Sequence, residues 1–78
     1  MQTTLNRMQT NHIGEVVDVR GGRTFRSKLD AMGIHRGRSV YKMGGSVWGG
    51  PITVRLNGCL VAVGRGMAER ILLEVEDS

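Results

Sequence analysis

At 78 residues with no repeat, the chain is long enough for one domain only, and such a domain buries roughly 60% of the surface its unfolded chain exposes. Its 40% apolar and 23% charged residues fit a folded domain and argue against intrinsic disorder. A net charge of +4 leaves both nucleic acid and an acidic protein open as partners, and a barrel this thin has little room for a deep catalytic cleft.

Residues 1–12 read as a polar arm whose isolated Leu5 and Met8 lie against the domain that follows, residues 13–76. Neither the arm nor any later stretch supplies a signal-peptide core or the ~18 consecutive apolar residues of a membrane span, so a cytoplasmic protein without membrane insertion is expected. In Glu15-Val16-Val17-Asp18-Val19-Arg20, Val17 and Val19 alternate with charged neighbours as in a half-buried strand, and Gly21-Gly22 ends it. Phe25, Leu29 and Met32 then fall at helical spacing. Thr24 suits the N-cap of this helix. Gly33 stands where a left-handed residue would close it, with Ile34 placed to touch Leu29.

Ser39 to Met43 reads as the second strand, followed by the glycine-rich loop Gly44 to Gly50. Ile52 to Leu56 alternates, Asn57-Gly58 is a preferred two-residue hairpin turn, and Cys59 to Val63 returns antiparallel. That turn sets Leu56 opposite Cys59, Val54 opposite Val61 and Ile52 opposite Val63 on one buried face, with Thr53, Arg55, Leu60 and Ala62 on the other. Met67 to Arg70 fits one helical turn, and Ile71, Leu73 and Val75 mark a last strand. Five short strands with one short helix between the first and second predict an all-β fold, a small barrel.

No catalytic constellation emerges, so no enzyme activity is expected. Cys59, alone and predicted to face the interior, suits an inert apolar role in a reducing compartment. His12 and His35 occupy loops, the carboxylates are scattered, and Met8, Met32, Met43 and Met67 suit core filling, so no metal or other cofactor is expected. The glycine-rich loop lacks the Gly-Lys-Ser/Thr sequel of a phosphate-binding loop. Arg20, Arg23, Arg26, Lys28, Arg36, Arg38 and Lys42 concentrate in the first half, but aromatic platforms for bases are scarce, which makes nucleic acid the weaker partner reading. Tyr41, Trp48, Arg26 and Arg38 are the candidate partner-binding residues. Trp48, flanked by glycines in its loop, suits either a cover folded back over Tyr41 or Met43 at the barrel mouth or a partner-binding anchor on a loop held by a rigid scaffold.

Gly14, the segment Leu29-Asp30-Ala31-Met32-Gly33-Ile34, Gly37, Gly50-Pro51-Ile52 and the Ala68/Ile71 spacing together resemble the FeoA family. The chain departs from that pattern at Arg36, where Pro is usual, and at Gly50, where Asp is frequent. The resemblance implies an SH3-like barrel, a non-catalytic accessory role in bacterial ferrous iron uptake, and the cytosolic portion of the FeoB GTPase transporter as partner. A nucleic-acid-binding barrel and a stand-alone regulatory domain of the metal-dependent-repressor type are the alternative functions, and self-association is open.

Overall fold

The computed structural model describes residues 1–45 and 49–76. Six antiparallel strands form one sheet: β1 (Gln2–Thr4), β2 (Ile13–Val19), β3 (Ser39–Gly45), β4 (Ile52–Leu56), β5 (Cys59–Val63) and β6 (Ile71–Val75). Their order is β1-β6-β2-β3-β4-β5. Helix α1 (Arg23–Ala31) joins β2 to β3, and the single turn α2 (Arg65–Ala68) joins β5 to β6. The sheet curls around Val16, Leu29, Ile34, Val40, Ile52, Val54, Val63, Ile71 and Leu73, each at most 1% exposed. The all-β barrel with a helix between the first two long strands is as the sequence predicts, with one strand more.

The added strand is β1, which pairs Gln2, Thr3 and Thr4 with Glu74, Leu73 and Leu72 of β6. Just beyond it, Leu5 and Met8 are buried in the common core. A buried cation fixes this segment. Period-two alternation along β3 turns Val40 and Lys42 inward and Tyr41 outward. The Lys42 ammonium donates to the carbonyl oxygens of Leu5 (3.0 Å), Asn6 (3.2 Å) and Met8. Desolvation, reinforced by repulsion from Arg65, holds its pKa below the ordinary 10.5. The three oxygens offset part of that cost by replacing the ammonium's hydration.

Helix α1 buries Leu29 and half-buries Phe25, and its C-cap Met32 is half-buried too, the three positions chosen from spacing. Its start corrects the expected cap: extended Gly22, not Thr24, is the N-cap, and Arg26 N–H donates to the Gly22 carbonyl at 3.0 Å. Thr24 is already inside the helix, so its hydroxyl cannot serve the first turn. The end is a Schellman motif, in which Gly33 N–H donates to Asp30 O and Ile34 N–H to Leu29 O, both at 2.9 Å. Gly33 has φ +89°, and a Cβ there would sit 2.8 Å from Leu56 Cδ1.

In β2 the simple alternation fails. A bulge between Val16 and Asp18 adds Val17 to the strand, so Val16 and Val19 are buried and Val17 is only half-buried. The β4–β5 hairpin holds the expected register, Ile52↔Val63, Val54↔Val61 and Leu56↔Cys59. Asn57 (φ 50°) and Gly58 (φ 79°) supply the two positive φ angles of its turn. One expected burial is overturned, because Cys59 is exposed. β5 is an edge strand of the sheet, and at its turn end Leu56 of β4 is buried in the core while Cys59 opposite it is left uncovered.

Two stability measurements follow from these contacts. Gly33→Val forces a β-branched residue into a left-handed backbone against Leu56 and is expected to cost about 2 kcal/mol or more by urea denaturation. Lys42→Met strands three carbonyl oxygens and is expected to cost on the order of 2 kcal/mol. Because the folded-state pKa of Lys42 is depressed, the unfolded chain holds this proton over a pH range where the folded chain has released it. Wild-type stability therefore gains a rising component as pH climbs from the depressed value towards 10.5, and the Lys42→Met variant lacks that component.

Candidate partner-binding surface

Strand alternation that buries one face of β2 to β5 necessarily presents the other. Ile13 pairs with Tyr41, Tyr41 with Arg55, and Arg55 with Leu60. These residues therefore form one straight row across four neighbouring strands on the outside of the barrel. Ile13 is 61% exposed and Leu60 64%. Between them the Arg55 guanidinium carbon stands 5.6 Å from the centre of the Tyr41 ring, within cation–π range. The Tyr41 hydroxyl donates to Asn11 Oδ1 at 3.1 Å, which holds the ring in place. The row thus combines two apolar ends with an oriented aromatic and a cation. Beside its Ile13 end lies an open cleft of about 730 Å3 edged by Glu15, Glu74 and Glu76.

The basic residues of the first half are arranged differently. Arginines take up two β2 carbonyls: Arg36 Nε donates to Val17 O at the bulge and Arg26 Nε to Val19 O at the end of the strand, each at 3.0 Å. Arg26 also pairs with Asp18 at 3.3 Å. These groups border a shallow cleft of about 410 Å3 with Asp30 and His35. Two carboxylates there balance the two guanidinium groups. Arg38 is half-buried, with Nη2 3.3 Å from His35 Nε2. Lys42, counted in the basic stripe, is inside the barrel.

Of the four candidate residues, Tyr41 lies in the outer row, Arg26 lies in the α1 cleft, and Arg38 borders a separate hollow with Gly37, Ser39 and Asn57. Trp48 lies outside the described residues. The structure does not bring Arg26 or Arg38 to Tyr41; it brings Ile13, Arg55 and Leu60. The hairpin register already put Arg55 beside Leu60 on the non-core face, and continuing it through β3 and β2 completes the row. Among the described residues no three His, Cys, Asp or Glu side chains are grouped to hold a metal ion. No helix among them is long and apolar enough to cross a membrane.

A six-stranded curled sheet, a helix between its first two long strands and a one-turn helix before the last define a small SH3-like β-barrel. The FeoA domain model matches residues 3–75, and the chain belongs to the FeoA family. It is similar to the crystal structure of an iron uptake regulatory protein, FeoA, with 30% identity and a TM-score of 0.89, over 97% of this chain and 99% of that one. The solution structure of a FeoA-like protein from Clostridium acetobutylicum gives 30% identity and a TM-score of 0.87, over 99% and 90% of the two chains. A manganese-dependent transcriptional repressor, at 17% identity, has a TM-score of 0.88 over 96% of this chain and 37% of its own, which shows a shared fold alone. No curated protein matches the sequence.

Proposed function

We propose that the protein is a non-catalytic accessory of bacterial ferrous iron uptake and that it binds the cytosolic portion of a FeoB-type transporter through the outer row of the barrel. Family membership supports the iron-uptake role, and a similar structure carries the name iron uptake regulatory protein. The single observation that carries the surface assignment is the exposed Ile13–Tyr41–Arg55–Leu60 row. A protein partner with a partly apolar face and an acidic group placed for Arg55 complements it: aromatic and arginine side chains are enriched among interface anchors, and a ring oriented in advance loses little entropy on binding. The same inventory disfavours nucleic acid. Arg26 and Arg36 are tied to backbone carbonyls, Lys42 is internal, and the α1 cleft carries Asp18 and Asp30 beside its arginines.

Titration calorimetry against the purified cytosolic portion of the transporter tests this reading. Tyr41→Ala is expected to weaken binding by roughly 30-fold, the equivalent of about 2 kcal/mol. Arg55→Glu is expected to weaken it similarly and to reverse the salt dependence at that position. Arg23→Glu, at the exposed start of α1, is expected to leave affinity within about two-fold and serves as the control for net charge. Unchanged affinity in both Tyr41→Ala and Arg55→Glu, with melting preserved, rejects the row as the binding surface. Binding to duplex DNA or RNA is expected to be weak and to vanish by physiological salt in a fluorescence anisotropy titration.

A further inference from the structure

β5 is an edge strand: among the described residues it pairs with β4 only. Exposed edges are ordinarily guarded by charge, proline or a bulge, because their free N–H and C=O groups invite another strand. Here the stretch is Gly58-Cys59-Leu60-Val61-Ala62-Val63-Gly64, with no charged residue, no proline and unbroken pairing to β4. The two-residue turn makes Leu56–Cys59 a mutually hydrogen-bonded pair, so Val54–Val61 and Ile52–Val63 follow suit. Leu60 and Ala62 therefore aim their N–H and C=O groups away from β4. Both residues are exposed, and Val61 between them is half-buried.

We propose that two copies of the protein pair antiparallel through β5, about a two-fold axis at Val61, to form a continuous sheet. In that register Leu60 lies opposite Ala62 of the second copy, and Ala62 opposite its Leu60. The two pairs exchange four backbone hydrogen bonds, which uses every outward-facing polar group of Leu60 and Ala62. A large side chain meets a small one on the outer face at both pairs. Val61 faces its own symmetry mate across a non-hydrogen-bonded position, where two strands approach most closely. Cys59 falls opposite Val63, and Gly58 opposite Gly64, so each end of the paired stretch closes on two glycines. The strand is thus complementary to itself, as an isologous contact requires. The charges also permit it: Arg55 and its symmetry mate lie three strand spacings apart, roughly 14 Å, beyond the screening length at physiological salt. The inference shares Leu60 with the proposed transporter row but does not require that reading, which Tyr41→Ala and Arg55→Glu test separately.

The experiment is sedimentation of the full chain over a concentration series, with two variants. The wild type is expected to show a reversible monomer–dimer equilibrium. Leu60→Lys alters a side chain that is 64% exposed, so melting is expected to be unchanged while dimerisation weakens by roughly ten-fold or more. Val61→Cys in a Cys59→Ser background is expected to give a disulfide-linked dimer on mild oxidation, because the symmetric pair brings the two thiols together. A wild type that stays monomeric to its solubility limit, together with no cross-link in the cysteine variant, overturns the proposal. So does a wild-type dimer that Leu60→Lys leaves intact. If Leu60→Lys instead abolishes binding to the transporter portion in a chain that is always monomeric, the edge belongs to a different occupant and the proposal also fails.

Discussion

The arrangement of the barrel rests on one constraint, the two-residue alternation of β4 and of β3 from Ser39 to Lys42, ahead of the bulge at Met43, in register with their neighbours. Turning Val40, Ile52 and Val54 inward closes the core, and the same alternation sets Tyr41 and Arg55 outside in line with Ile13 and Leu60. A slip of one residue in either strand would send its core residues to solvent and dissolve the outer row in the same move. Stability and the proposed binding surface therefore share a cause. The burial that holds the register is expected to keep the row preorganised.

Lys42 shows how strongly that constraint operates. Placing a lysine at an inward position is costly, yet alternation gives it no other place between Tyr41 and Met43. The cost is partly offset because the N-terminal segment turns its Leu5, Asn6 and Met8 carbonyls onto the ammonium. In return, Leu5 and Met8 join the core and β1 lengthens the sheet beside β6. The bulge in β2 works similarly. It leaves Val17 without a ladder partner, and Arg36 takes up the Val17 carbonyl while Arg26 takes up that of Val19 at the strand end, so two exposed cations are tied to the backbone of their own chain.

The sequence makes local periodic features legible and hides those that depend on distant partners. The hairpin register followed from the length of the Asn57-Gly58 turn, and the helix end followed from Gly33 and Ile34, because nearest-neighbour backbone geometry decides both. The Gly22 cap escaped notice since Thr24 offers the more familiar side chain, while the backbone was already helical at Arg23. Three residues of β1 are too few to show a period, and a bulge at Val17 breaks the very alternation by which strands are recognised. Cys59 looked internal because register gives the face of a strand but not how far the core extends beneath it. Tyr41 is a candidate partner-binding residue from the sequence; its outward place beside Arg55 and Ile13, rather than with Arg26 or Arg38, is a product of strand alternation and sheet order.

The outer face of β2 to β5 is the proposed meeting place of the protein and its partner. The most direct measurement is an amide chemical-shift titration of the isotopically labelled chain with the unlabelled cytosolic portion of the transporter. The largest perturbations are expected at Ile13, Tyr41, Arg55, Leu60 and their outward neighbours, with the Arg26–Arg36 cleft little changed. Perturbations confined to α1 and that cleft, with the outer row silent at saturation, would contradict it.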